Sequence, residues 1–188
     1  GNVGQIGLRK QKDLGNTVSN ISHVAKIIER IVNKQFMNYL TQHDFINLDQ
    51  SAYRANHSTT TALHRVMEDW LEALNDNQFR GIVYLDTKKC FDSIDHKILL
   101  HKLKRYGVIN NENKWFNSYL INCRQKVFIN NDYSAPGVLK SGVPQGSILG
   151  PSLFLLYIND LSEHSFNAYV NIYSDDVLIY YASNDFAE

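Results

Sequence analysis

Apolar residues recur every three or four positions in two stretches of the amino-terminal half of the chain. The first stretch contains Ile21, Val24, Ile28, Ile31, Val32, Phe36 and Tyr39. The second follows a capping cluster at residues 58–61 and contains Leu63, Val66, Met67, Trp70, Leu71 and Leu74. This spacing places the apolar side chains on one face of a helix, and the Ser-Thr cluster is typical of a helix start. We predict two amphipathic helices whose apolar faces point to a core.

Short apolar runs predict strands in the rest of the chain. Residues 81–86 form one such run, and residues 126–140 contain a polar turn at Asn131 and Asp132 that predicts a hairpin. Residues 169–173 and 177–181 are two more β-prone runs, separated by Ser174, Asp175 and Asp176. They predict a second hairpin.

Three further helices are expected between these strands. Residues 98–106 form a helical pattern capped near Ser93 or Asp95 and closed by Gly107, and a shorter pattern follows at 115–120. Pro151 stands where the first residue of an apolar helix over 152–161 is expected. Helices mixed with antiparallel hairpins predict an α+β fold, with an antiparallel sheet backed by helices.

Composition restricts the class of protein. The 188 residues are 44% apolar and 20% charged, which suits one core or a core with a satellite lobe. No apolar run is long enough to span a membrane and no secretion signal is present, so we expect a soluble intracellular protein. Cys90 and Cys123 stand far apart and indicate neither a disulfide framework nor a zinc site. Nineteen basic and nineteen acidic residues balance, whereas nucleic-acid binders usually carry net positive charge.

Three acids are the candidate chemical groups. Asp86 ends a strand that we predict to be buried, and the pair Asp175 and Asp176 stands in a predicted turn. An acid pair in a turn is by itself more often structural, because Asp favours turns. Three carboxylates on adjacent strands, however, repel one another unless cations intervene, and Mg²⁺ prefers oxygen ligands. Such a site could hold two metal ions, as polymerase chemistry requires.

A glycine-rich loop at residues 142–151 adds backbone that can approach a ligand closely. Taken alone, this loop could equally be a plain connection between two elements. Its length and sequence become specific only in combination with the segments before and after it.

Five segments resemble the reverse transcriptase family, in particular its non-LTR retrotransposon branch. Residues 85–96 resemble the first palm motif, LDxxKAFDxVDH; residues 142–161 resemble the second, GVPQGSxLGPxLFxLYINDL; residues 173–176 resemble the third, (F/Y)xDD. Residues 53–60 are similar to the fingers motif GFRxxHSTxxAL, and residues 24–32 to the preceding SKIxEKIV segment. The resemblance covers about residues 16–182 and implies an RNA-directed DNA polymerase of the right-hand type.

The resemblance implies a role for each matching residue. Asp86, Asp175 and Asp176 would be the catalytic acids and would bind two Mg²⁺ ions, with Mn²⁺ as a possible substitute. Phe91 would exclude a 2′-hydroxyl, Gln145 and Gly146 would contact nucleotide and template, and Arg54 would contact the triphosphate. A core Phe at position 91 and a plain surface Arg at position 54 are the alternatives. The implied partners are an RNA template, a DNA primer and deoxynucleoside triphosphates.

The implied architecture is a polymerase palm with a partly helical fingers portion. We expect a disordered or atypical lead-in at residues 1–16, fingers at 17–80 and palm at 81–188, with further fingers elements within 107–140. No later palm element or thumb follows the third motif, so we expect an incomplete fragment that is inactive alone.

The chain also departs from the family motifs. Cys90 replaces the usual Ala of the first palm motif, Tyr173 and Ser174 replace an aromatic residue and Ala, and Ala52 and Tyr53 replace Gly and Phe. Residues 16–17 are Asn-Thr where Arg-Pro is usual.

Other functions stay open. The first is an inactive relic or domesticated palm that binds nucleic acid or protein. An RNA-dependent RNA polymerase shares the acid geometry, but Phe91 and the long loop argue against it. Group II intron and retron enzymes fit less well, given the Tyr-Ile-Asn-Asp-Leu sequence at residues 157–161.

Overall fold

The computed structural model describes residues 6–9, 18–54, 56–86, 89–121, 123–129, 132–164 and 168–184. The chain forms two compact units, each built from two separate stretches of sequence. The first unit comprises Gly1–Phe45 and Lys89–Tyr157, and the second comprises Ile46–Lys88 and Ile158–Glu188. The predicted boundary between fingers and palm at residues 80 and 81 stays a prediction.

Each predicted helix is present, with small shifts at its ends. The helices are α1 (His23–Gln42), α2 (Thr59–Asn75), α3 (Cys90–Ser93), α4 (His96–Arg105), α5 (Asn110–Leu120) and α6 (Gly150–Ile158). None of these helices is long and apolar enough to cross a lipid bilayer.

The strands form two sheets, one in each unit. They are β1 (Ile6–Arg9), β2 (Val18–Asn20), β3 (Phe79–Asp86), β4 (Arg124–Ile129), β5 (Asp132–Tyr133), β6 (Gly137–Val138), β7 (Tyr169–Tyr173) and β8 (Asp176–Ser183). In the first unit the order is β2-β1-β4-β5, and β6 also pairs with β4. In the second unit the order is β3-β8-β7, with all pairs antiparallel. The predicted α+β class and the second hairpin are confirmed.

Side-chain caps fix the starts of two helices. Ser58 precedes α2 and accepts a hydrogen bond from the Thr61 amide, while the Thr61 hydroxyl accepts one from the Ser58 amide. Asp95 precedes α4 and accepts from two amides of its first turn, and these bonds lower the pKa of Asp95. Both caps accept hydrogen bonds from backbone amides that the first turn of a helix leaves without a partner. These bonds explain why the capping residues in the sequence predicted the two helix starts.

The lead-in expected at residues 1–16 is partly a strand. Residues Ile6–Arg9 pair antiparallel with β2 and parallel with β4, while the disordered or atypical lead-in over residues 1–16 stays a prediction. Pairing with a strand far along the sequence supplies hydrogen bonds that local periodicity cannot reveal. The rest of the lead-in lies outside the described residues.

The buried faces of α1 and α2 match the predicted apolar stripes only in part. Val24 and Ile31 on α1 are 69% and 56% exposed, and Leu63 and Leu71 on α2 are 61% and 55% exposed. Of the predicted positions, Phe36 on α1 and Val66 on α2 are buried. The other buried positions of these helices are Ala25, Glu29 and Leu40 on α1, and Ala62 and Ala73 on α2. Both helices carry apolar residues on neighbouring stripes, so periodicity alone could not select the stripe that packs.

The second unit buries its core beneath the central strand β8. Val66 packs with Leu178 and Tyr180, and the Tyr180 hydroxyl donates a hydrogen bond to the Asp69 carboxylate. Burial raises the pKa of Tyr180, and the bond to Asp69 raises it further. A satellite cluster of Val170, Ile172 and Val177 fixes β7 against β8.

Strand β3 lies at an edge of its sheet and is exposed along its length. We expected residues 81–86 to form a buried strand, but Tyr84 is 73% exposed and Val83 is 54% exposed. Only β8 pairs with β3 among the described strands, so one backbone edge of β3 is open there. The apolar residues of β3 therefore reflect the preference of such residues for strands, and not their burial in a core.

Candidate active site

The three predicted acids come together at one end of the three-stranded sheet. Asp86, the last residue of β3, is the direct partner of Asp176, the first residue of β8. Directly opposed residues in an antiparallel pair have Cβ atoms about 4.5–5.5 Å apart. Asp175 lies in the turn that adjoins this pair.

The donor set suits a divalent cation. Within the described part of the chain, none of the three carboxylates forms an ion pair with a basic side chain. No set of three His, Cys, Asp or Glu side chains among those residues is arranged closely enough to hold a metal ion as it stands. Mg²⁺, however, is commonly held by one or two carboxylates plus substrate phosphates, and the Asp86–Asp176 pair supplies that number.

The acid turn is held from one side by the segment before α2. Residues 49 and 51 exchange backbone hydrogen bonds with Ile172 of β7, each at 2.9 Å. The Tyr53 hydroxyl then forms a 2.8 Å hydrogen bond with Ser174 Oγ, one residue before Asp175. The segment carrying the fingers motif therefore lies along the strand that leads into the acids.

Arg54 is occupied by its own loop. Its Nη1 atom donates to the backbone oxygens of Asn47 and Gln50, at 3.0 and 2.9 Å. Partial burial lowers the pKa of Arg54 from its usual value. The same loop is fastened by the buried Asn159, whose Oδ1 accepts from the Asn47 amide at 2.9 Å. These bonds show a structural use of Arg54, while its predicted contact with the triphosphate stays untested.

In the first unit, Phe91 stands beside the start of the glycine-rich loop. Its ring lies 4.6 Å from that of Phe154, centroid to centroid, and its backbone oxygen accepts from the Val143 amide at 2.9 Å. Gly142 has φ +80°, and a Cβ atom there would come within 2.6 Å of Asp92 Cα. Only glycine can therefore stand at position 142, where the loop passes close to the backbone of Asp92.

The first residue of the glycine-rich loop is also held by a side chain. The buried His96 ring nitrogen Nε2 lies 2.7 Å from the Gly142 oxygen. Gln145 is half-buried, and Gly146 is exposed with φ +91°. The loop therefore keeps a defined start while its Gln and Gly remain accessible to solvent.

Glu29 of α1 is a further anchor of this loop that we did not predict. It is 4% exposed; Oε2 accepts from the Ile148 amide at 2.7 Å, and Oε1 accepts from the Tyr119 hydroxyl at 3.0 Å. Burial, followed by the nearby Glu29 charge, raises the pKa of Tyr119. The available signal was an acid on the same helix stripe as Ala25, Phe36 and Leu40.

The structure thus divides the predicted site residues between the units. Asp86, Asp175, Asp176 and Arg54 belong to the second unit, while Phe91 and the loop with Gln145 and Gly146 belong to the first. Besides Glu29, we did not predict the role of Asn159, although Asn159 lies in the Tyr-Ile-Asn-Asp-Leu sequence at residues 157–161.

An antiparallel sheet with one acid on a strand and an acid pair on the neighbouring hairpin defines a palm of the right-hand polymerase class. Consistent with this, the chain matches the family described as reverse transcriptase (RNA-dependent DNA polymerase) over residues 10–187. The chain belongs to this family.

Relatives at the sequence level are proteins of mobile elements. The chain is 32% identical to the "Probable RNA-directed DNA polymerase from transposon BS" of Drosophila melanogaster over 180 residues, which cover 89% of this chain and 19% of the relative. It is 29% identical to the RNA-directed DNA polymerase from mobile element jockey of the same species, over 90% of this chain and 18% of the relative. The chain therefore spans about a fifth of the length of these relatives.

Solved structures show the same fold at low sequence identity. A telomerase from Candida tropicalis in complex with a TWJ fragment of telomeric RNA aligns with a TM-score of 0.71 and 13% identity, over 98% of this chain and 36% of that one. An apo telomerase from the same organism, truncated from its C-terminal domain, aligns with a TM-score of 0.63 and 15% identity, over 97% and 44% of the two chains.

Proposed function

We propose that this chain carries the acids of an RNA-directed DNA polymerase that adds deoxynucleotides by a two-metal mechanism. The observation that carries the proposal is the register that pairs Asp86 with Asp176 and places Asp175 in the adjoining turn. Two carboxylates opposed across antiparallel strands, with no basic partner among the described residues, favour a bound cation.

Asp86, Asp175 and Asp176 would hold Mg²⁺, or Mn²⁺ in its place. When bound, these ions supply charge that stabilises the attacking and leaving oxygens of a phosphoryl transfer. The carboxylates themselves position that charge at the end of the sheet. An RNA template, a DNA primer and deoxynucleoside triphosphates are the proposed partners.

The remaining site residues would select and orient the nucleotide. Phe91 would pack beneath the sugar, and its ring is already held beside Phe154. Gln145 and Gly146 would contact nucleotide and template from the anchored loop. Arg54 would act on the triphosphate only through guanidinium nitrogens other than Nη1, which donates to two backbone oxygens.

The test is deoxynucleotide incorporation on a primed RNA template. Because the chain spans a fifth of its relatives, we would join it to the carboxyl-terminal region of the jockey relative. We expect Mg²⁺-dependent incorporation that falls at least about a hundredfold in Asp86→Asn and in Asp175→Asn, since bound metal contributes several kcal/mol to such transition states. The exposed Asp132→Asn is the matched control and should keep its activity. A joined protein that binds the primed template but incorporates nothing contradicts the proposal.

A second candidate is a palm that binds nucleic acid or a protein without catalysis. The observation that favours it is the formal net charge of zero, because phosphate contacts dominate affinity for nucleic acids and a neutral chain holds a primed template too weakly for turnover. It predicts salt-dependent binding of an RNA–DNA duplex that Asp86→Ala leaves unchanged, with no incorporation. Loss of incorporation without loss of duplex binding in Asp86→Ala would instead support the polymerase.

A further inference from the structure

The hydrogen bond between Tyr53 and Ser174 connects two segments that are far apart in the sequence. The Tyr53 hydroxyl and Ser174 Oγ lie 2.8 Å apart, and both residues belong to the second unit. Ser174 is the first turn residue after β7, and the two acids follow it directly. The bond therefore acts on the backbone that carries Asp175 and Asp176.

The turn itself has a backbone conformation that needs support. Ser174 has φ +59°, in the left-handed region that residues with a Cβ atom rarely adopt. Two neighbouring carboxylates follow, and their mutual repulsion favours other arrangements of the turn. A hydrogen bond to the Ser174 side chain restrains the turn against both effects.

Backbone pairing fixes the segment that precedes Tyr53, whose own side chain is 44% exposed. The residues just before it pair with β7, since the Ser51 amide donates to the Ile172 oxygen and the Ile172 amide donates to the Asp49 oxygen, each at 2.9 Å. Tyr53 also has a positive φ of +57°, which turns its side chain out of the extended path of this segment. Backbone pairing with β7, the strand that leads to Ser174, therefore places Tyr53 near the Ser174 side chain.

Both hydroxyls stand at positions where this chain departs from the family motifs. The fingers motif has Phe where this chain has Tyr53, and the third palm motif often has Ala where this chain has Ser174. Neither Phe nor Ala could form the bond.

We propose that Tyr53 is a positioning residue that fixes Asp175 and Asp176 for metal binding through its hydrogen bond with Ser174. This inference rests on the proposed function, because it assumes that the acids bind metal. Tyr53 does not touch the reacting atoms; it acts through the turn.

The test is a double-mutant cycle on Mn²⁺ binding by the 188-residue chain, followed by electron paramagnetic resonance. We expect Tyr53→Phe and Ser174→Ala each to weaken Mn²⁺ binding by about 2- to 10-fold, the range of one net hydrogen bond, and to lower the melting temperature by no more than a few degrees. The double variant should bind no more weakly than either single variant, because both remove the same bond. The exposed Tyr84→Phe is the matched control and should bind as the wild-type chain does.

Each outcome has one interpretation. Independent, additive losses in the double variant, or a Tyr53→Phe variant that behaves like Tyr84→Phe, overturn the positioning role while leaving the metal site intact. Wild-type binding that Asp176→Asn does not weaken overturns the metal site itself, and the positioning role with it.

Discussion

Gly142 shows how a single residue sets the geometry of the candidate nucleotide loop. Its φ of +80° and the 2.6–2.7 Å distances from a built Cβ to Asp92 Cα, Asp92 O and Phe91 O leave no room for a side chain. The atoms in the way are backbone, which cannot move aside as a flexible side chain can. We therefore expect Gly142 to fix the distance between the glycine-rich loop and α3, the short helix that carries Phe91.

Gly142→Ala should lower the free energy of unfolding by roughly 1–3 kcal/mol or more, as expected for strain at a residue that needs positive φ. Urea denaturation of the 188-residue chain measures this change. Gly81 in β3 is the matched control, since a Cβ there meets nothing within 4 Å. Gly81→Ala should be neutral or stabilising by up to about 1 kcal/mol. Equal effects of the two substitutions would show that the close crossing at Gly142 has no energetic role.

At the scale of elements, two side chains one helical turn apart on α1 bind the glycine-rich loop and the start of α6. Glu29 accepts from the Ile148 amide, and Asn33 Oδ1 accepts from the Ser152 hydroxyl at 2.6 Å. Ser152 lies in the first turn of α6, so the loop and the start of α6 are both tied to the same helix. Through these two bonds, α1 helps to set the conformation of the glycine-rich loop.

Glu29→Ala should lower the free energy of unfolding by about 2–3 kcal/mol, because it leaves the Ile148 amide and the Tyr119 hydroxyl without their acceptor. Glu29→Gln keeps an acceptor oxygen and should recover part of this loss. Hydrogen exchange at the Ile148 amide, followed by NMR, should accelerate in Glu29→Ala. The control is Glu68→Ala, since Glu68 is an exposed acid of α2. Unchanged protection of Ile148 in Glu29→Ala would refute the anchoring role.

Most elements of this fold could be predicted from the sequence, because their signals are local. The Ser58 cap, the Asp95 cap and the turn before Asp176 each use residues within a few positions of one another. Three features depended on distant parts of the chain and could not be predicted: the pairing of β1 with β4, the choice of buried stripe on α1, and the register of β3 on β8. The register decides that Asp176, and not Asp175, faces Asp86.

At the scale of the whole molecule, the open edge of β3 is the feature with the clearest consequence in solution. Ile82, Val83, Tyr84 and Leu85 are 41%, 54%, 73% and 43% exposed. An exposed apolar edge strand offers unpaired backbone groups to any other strand that approaches it. The 188-residue chain should therefore self-associate as its concentration rises.

Val83→Lys should reduce this association, because a lysine on an edge strand disfavours pairing with another chain. Sedimentation velocity over a range of concentrations measures the effect. Val24→Lys is the matched control, since Val24 is 69% exposed but lies on α1 in the other unit. Association that both variants reduce equally would point to general hydrophobic contact and not to the strand edge.

The division of the chain into two units, each assembled from two separated stretches, also bears on how such a sequence tolerates damage. The polypeptide passes from one unit to the other after residues 45, 88 and 157. A chain that stops after any residue from 46 to 156 therefore lacks part of both units. Copies of this sequence that are shortened in that interval would retain recognisable motifs but no complete folding unit.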